Sequence, residues 1–202
     1  LRHGLRIAID SQTMPMRPLP DLASLSLAEI AQLMEEDRLP PVERWNPAHC
    51  GDSGMTITRD GRWFHEGAPI TRESMVRLFS TILRREPDGS YVLVTPVEKL
   101  SITVEDAPFV ASELRAEGEG ADSRLIFRLN TGDLVLADAA HPLRFARGSD
   151  GPLPYLQVRG DMEARVARPV YYELVERALA RDGQDPVPGV WSAGSFFPLD
   201  AA

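Results

Sequence analysis

A single cysteine, Cys50, in a chain of 202 residues excludes an internal disulfide and any multi-cysteine metal site, and fits a reducing compartment. Long apolar runs are lacking too. No stretch approaches the roughly 20 apolar residues that a membrane-spanning helix requires, and the opening LRHGLRIAID holds too few consecutive apolar positions for a signal-peptide core. The cytoplasm is the expected compartment, with no membrane partner. Histidine is scarce: His3, His49, His65 and His141 are scattered, with no pair at ligand spacing, so no metal is predicted. Phosphate-cradling glycine loops are also missing, and no cofactor is expected.

An excess of positive charge is the last absence. The formal net charge of −8 is spread over many short segments, which argues against a nucleic-acid backbone as partner. Hydrophobic residues at 43% and charged residues at 26% place the chain among globular proteins. The length suits one large domain or two small ones.

Local patterns predict the elements. Ser26 and Glu29 form a capping box for a helix from Leu27 to about Arg38, which Pro40-Pro41 ends. In MTITRDGRWFHEG, Asp60-Gly61 supplies the turn of a β-hairpin. A second helix is predicted from about Thr71 to Arg85, with Arg84 and Arg85 at the negative end of its dipole. From Tyr91 to Arg165 the period changes to two, in runs such as YVLVT, KLSITV, RLIFRL and YLQVR, which reads as an antiparallel meander. A third helix starts at Pro169 and runs to about Arg181. The apolar, glycine-punctuated segment from Gly189 to Leu199 should pack back on the body.

These elements make an α+β protein in two parts. A flexible arm over 1–21 precedes an N-terminal helix/hairpin/helix domain over 22–88 and a C-terminal antiparallel β domain over 89–202 closed by a helix. Pro69-Ile70, Glu73, Arg77 and Phe79 recur about 100 residues later as Pro169-Val170, Glu173, Arg177 and Leu179, which reads either as a repeated hairpin-helix motif or as a chance likeness of two amphipathic helices that start with proline.

The string Ala48-His49-Cys50-Gly51-Asp52-Ser53-Gly54 contains two words of trypsin-like proteases, but those enzymes carry them on separate barrels. Fused, they are loop chemistry. The more informative set is Tyr155, Arg159 and Arg165 on neighbouring strands, followed by Tyr171 and Tyr172 on the last helix. Guanidinium forks and ring faces brought together in this way suit a planar anionic or nucleotide-like ligand. Glu98, at a strand start after Pro96, is a further polar contact. The expected function is a cytoplasmic sensor or adaptor that binds such a molecule between the two parts through Glu98, Tyr155, Arg159, Arg165 and Tyr171. The alternative is a small hydrolase or transferase using Glu98, His65 or Asp106 as base. No catalytic constellation is assigned, and an enzyme is the less favoured reading.

Several motifs in order, WNP followed by a glycine loop, ITRDGRWFHEGAPI, YVLVTPVEK, PYLQVRGDMEARVARPVYYELVE and GVWSAGSFFPL, resemble the bacterial family known as domain of unknown function 1285. The resemblance covers about residues 22 to 199. It implies an α+β fold with an internally repeated motif, a C-terminal part superficially like pleckstrin-homology folds, and a cleft between the parts. It further implies ligand binding or signal transduction, with no established activity.

Overall fold

Period-two alternation becomes strand wherever the sequence shows it, and the computed structural model, which describes residues 39–148, 151–181 and 187–199, is mostly β. The helix expected over 27–38 and the N-terminal arm lie outside the described residues. Two α-helices are present among those described.

The first sheet is built from β1 (His49–Ile57), β2 (Trp63–His65), β3 (Ala68–Pro69), β4 (Leu83–Arg85), β5 (Tyr91–Val94) and β6 (Glu98–Val104). Helix α1 (Glu73–Thr81) lies between β3 and β4. The strand order is β3-β2-β1-β6-β5-β4. Its central pair, β1 and β6, runs parallel, with Met55 opposite Ile102 and Ile57 opposite Val104. The second sheet contains β7 (Phe109–Glu117), β8 (Arg124–Leu129), β9 (Leu134–Leu136), β10 (Leu143–Gly148), β11 (Gly151–Arg159) and β12 (Met162–Val166). Its order is β10-β11-β12-β7-β8-β9, again with a parallel central pair in which Arg165 faces Val110. Helix α2 (Arg168–Leu179) follows β12, and a final hairpin, β13 (Gly189–Ser192) and β14 (Ser195–Pro198), packs back as the apolar tail predicts. Ser192 fixes it, its hydroxyl accepting from the Leu125 N–H and donating to the Ala137 carbonyl.

The α+β expectation is therefore overturned. Among the described residues, the part expected as helix/hairpin/helix is a six-stranded sheet with one short α-helix. The second helix stops early because Ser80 and Thr81 donate their hydroxyls to the Arg77 and Leu78 carbonyls, each at 2.7 Å. Such back-bonding competes with helix continuation. Leu83 then alternates with Arg84 and pairs with Leu93, so the apolar residue enters the core as part of a strand. Because β5 and β6 complete this sheet, it extends to Val104, past the division at 88/89 read from the change of period. The second half is not purely antiparallel either, and its parallel β7 and β12 give no support to the pleckstrin-homology likeness.

Counted within each sheet, the strands follow one order: third, second, first, sixth, fifth, fourth. The helices do not share it. Helix α1 sits between third and fourth strands, whereas α2 follows the sixth. The residues that recur about 100 positions apart thus occupy different topological places.

A single apolar core spans both sheets, from Trp63 and Phe79 to Phe109, Phe127 and Leu156. Trp63 is 1% exposed and stacks on Phe79 at 6.3 Å between centroids. Beside the core, Arg84 on β4 donates to the Val42 and Trp45 carbonyls, both at 2.8 Å, and pairs with Glu86 at 2.6 Å. Lys99 also reaches Glu86, at 3.3 Å, instead of its neighbour Glu98. Burial pushes the Glu86 carboxyl up, but the Arg84 and Lys99 donors outweigh it and hold it below its ordinary 4.5. A depressed folded value means the contribution is complete above about 4.5 and fades as pH falls through the folded value. Glu86→Gln is expected to cost about 1–3 kcal/mol at neutral pH. In urea melts its deficit relative to wild type should shrink as pH drops below 4.5; an equal deficit at all pH values would contradict the role given to this pair.

Candidate functional site

Because β1 and β6 run parallel, the loops that leave their C-terminal ends emerge side by side. The first is the predicted Asp60-Gly61 turn, with the Thr58 N–H donating to the Arg62 carbonyl at 2.9 Å. Gly61 has φ +79°, and a Cβ there would lie 2.6 Å from Asn130 Nδ2 and 2.8 Å from Val110 Cγ2. Only glycine fits. The Asn130 side chain donates to the Gly61 carbonyl at 2.9 Å and accepts from the Val110 N–H at 3.0 Å. One amide thus bolts the turn of the first sheet to the second. The loop after β6 completes the wall, where Glu105 Oε2 accepts from the Arg59 N–H at 2.9 Å.

The facing wall comes from the second sheet: Pro152–Pro154 of β11, the end of β12, and the first turns of α2. Between the walls lies an open groove of about 1300 Å³. Helix α2 presents Arg168, Tyr171 and Tyr172 to it, positions i, i+3 and i+4 that share one helical face.

Charge in the groove is unevenly satisfied. Asp60 is held below the ordinary carboxylate range by the Thr58 hydroxyl and by Arg62, paired at 2.7 Å. Glu105 accepts from the backbone, and Asp106 accepts from the Tyr155 hydroxyl at 2.8 Å and from Arg165 Nη1 at 2.9 Å. All three carboxylates are therefore engaged. Of the four lining arginines, Arg62 and Arg165 are paired. The guanidinium groups of Arg59 and Arg168 have no hydrogen bond or ion pair among the described residues, and both residues are exposed.

The residues expected from sequence divide into four places. Arg165 and Tyr171 line the groove. Tyr155 lies behind it, 6% exposed, with the Arg144 guanidinium 4.4 Å from its ring centroid. Arg159 is elsewhere: it donates to the Ser80 carbonyl at the end of α1 and covers the Phe109 ring at 5.1 Å. Glu98 opens β6 opposite His49, at the other end of that strand from the groove. Nor do Glu98, His65 and Asp106 meet: of the three, only Asp106 reaches the groove, with both oxygens occupied. Sequence reasoning did not single out Arg59 and Arg168, both of which line the groove. Their signals were present in the TRDGR turn and in the Arg-Pro pair that starts the last helix.

Tyr155 gives the site a spectroscopic mark. Burial, followed by the hydrogen bond to Asp106, pushes its hydroxyl from 10.0 up to about 12. The folded value is raised, so the stabilisation is full below pH 10.0 and is lost as pH rises through about 12. In an absorbance-monitored alkaline titration one tyrosine should ionise near pH 12, and Tyr155→Phe should delete that step. Persistence of the step in the variant would remove Tyr155 from this position.

Residues 40–107 match the family described as "Domain of unknown function (DUF1285), N-terminal domain", and residues 108–199 match "Protein of unknown function (DUF1285), C-terminal domain". A crystal structure of a DUF1285 family protein from Silicibacter pomeroyi DSS-3 is 42% identical, with a TM-score of 0.75, 88% of this chain and 96% of that chain covered. A second, from Shewanella baltica OS155, is 25% identical with a TM-score of 0.49, covering 61% of this chain and 91% of that one. No curated protein matches the chain. Among the described residues no helix is long and apolar enough to cross a membrane.

Proposed function

The chain belongs to the DUF1285 family, and from that premise we propose that it is a cytoplasmic sensor or adaptor in signal transduction whose groove captures a small anionic ligand. One observation carries the reading. Every carboxylate in the groove already accepts hydrogen bonds, while the guanidinium groups of Arg59 and Arg168, one on each wall, have no partner among the described residues. The electrostatic demand left in the groove is for negative charge, although the whole chain carries −8.

An anion seated between them accepts charge-assisted hydrogen bonds from both walls at once. Arg165 lies beside them, tethered by Asp106. Sequestration without chemistry suits a sensor, because ligand occupancy then stabilises the folded protein by mass action. The test is a thermal melt against inorganic phosphate, pyrophosphate and sugar phosphates at matched ionic strength. At least one phosphate should raise Tm in the wild type and fail to do so in the Arg59→Ala/Arg168→Ala protein. Equal shifts in both proteins, or none in either, would defeat the proposal.

A further inference from the structure

We infer that the ligand is a single-chain amphiphile, with its anionic head between Arg59 and Arg168 and its alkyl chain laid on an apolar run of β11; this rests on the groove being the anion site. At about 1300 Å³ the groove is far larger than a phosphate needs. Much of the rest of its lining is apolar. Pro152, Leu153 and Pro154 follow one another along one wall, and Val110, Val166 and Ala167 also line it. Alternation along β11 puts Leu153 on the same face as Tyr155, which stands opposite Arg165, which in turn stands opposite Val110. Leu153 and Val110 are only half-buried, so apolar surface stays open to water beside the paired arginine. Leu153 is seated against the bare backbone of Gly148, where a Cβ would lie 2.8 Å from its Cγ.

Register then joins this surface to the anion site. Because β11 and β12 are antiparallel and Tyr155 faces Arg165, the residues that follow Arg165 run alongside those that precede Tyr155. Arg168, which opens α2 directly after that stretch, therefore adjoins the apolar run. Three extended residues cover about 10 Å, the reach of a medium-length alkyl chain. A bare phosphate leaves this surface wetted, whereas each methylene withdrawn from water tightens binding by up to about fourfold. The net charge of −8 opposes docking on an anionic bilayer, so the chain belongs to a monomeric amphiphile.

The test is calorimetric titration with ethyl, butyl, hexyl, octyl and decyl phosphate, each below its micellar concentration, using wild type, Leu153→Ser and Arg168→Ala. Wild-type affinity should rise about two- to fourfold per methylene from ethyl to hexyl, and decyl phosphate should bind no more tightly than octyl. Leu153→Ser should weaken octyl phosphate about fivefold or more and leave ethyl phosphate unchanged. Arg168→Ala should weaken every member by a similar factor. Vesicles of phosphatidylglycerol should leave the protein in the supernatant; its co-sedimentation would overturn the choice of a monomeric source. A flat series in the wild type, or a rise that Leu153→Ser leaves intact, overturns the chain on β11 while the anion site stands. If neither inorganic phosphate nor any alkyl phosphate binds the wild type, both readings fail together.

Discussion

Removing Arg59 and Arg168 together is expected to lower phosphate affinity by about two orders of magnitude, at about 1.5 kcal/mol for each charge-assisted hydrogen bond. Neither guanidinium has a partner to lose among the described residues, so the unfolding free energy without ligand should stay within about 0.5 kcal/mol of wild type. That separation of binding from stability is the useful feature. Arg165 behaves differently, because it is tied to Asp106 and its loss disturbs the Tyr155 hydrogen bond as well. Titration of single and double variants should therefore give an arginine pair with near-normal stability and poor binding. A double variant that binds phosphate as well as wild type would mean that these two residues are ordinary solvated charges.

Phe109→Ala should have the largest effect on folding, a loss of about 3–5 kcal/mol. Phe109 is 0% exposed and opens β7 opposite Ala164, within the one core that both sheets share. Its truncation leaves a cavity and also strips the ring from under Arg159, whose guanidinium links β11 to the end of α1. Damage at this point reaches both sheets, so urea unfolding should remain a single transition at a lower midpoint. Two separated transitions, or a loss under about 1 kcal/mol, would show that the halves fold on independent cores.

Strands were the legible part of the fold. YVLVT, RLIFRL and YLQVR announce themselves by alternation, and each became a strand with its apolar face inward. Helix α2 was equally plain from Pro169 and its apolar spacing. What alternation cannot convey is partner choice. The pairing of β1 with β6 and of β7 with β12 joins strands far apart in the chain, and nothing within either strand states that they run parallel. The ending of α1 was misread because Ile82 and Leu83 continue a helical apolar pattern, whereas the pairing of β4 with β5 decides their conformation. Local propensity lost to tertiary context there.

Of the residues singled out from sequence, some share one groove and others lie apart from it. Arginine and tyrosine do line a groove between the halves, and Arg165 and Tyr171 are among them. Yet neighbouring arginines on one strand pair separate: a register shift between Gln157 and Arg159 lies just before Arg159, whose guanidinium reaches the end of α1 and not the groove. Glu98 lies apart for a simpler reason, since only the opposite end of its strand reaches the groove.

The most direct test follows the arginine side-chain Nε–H signals by NMR while inorganic phosphate is added at constant ionic strength. Resonances of Arg59 and Arg168 should shift and saturate together, with smaller changes at Arg62, which is already paired with Asp60. Saturating shifts elsewhere in the molecule, with Arg59 and Arg168 unmoved, would contradict the groove as the place where an anion binds.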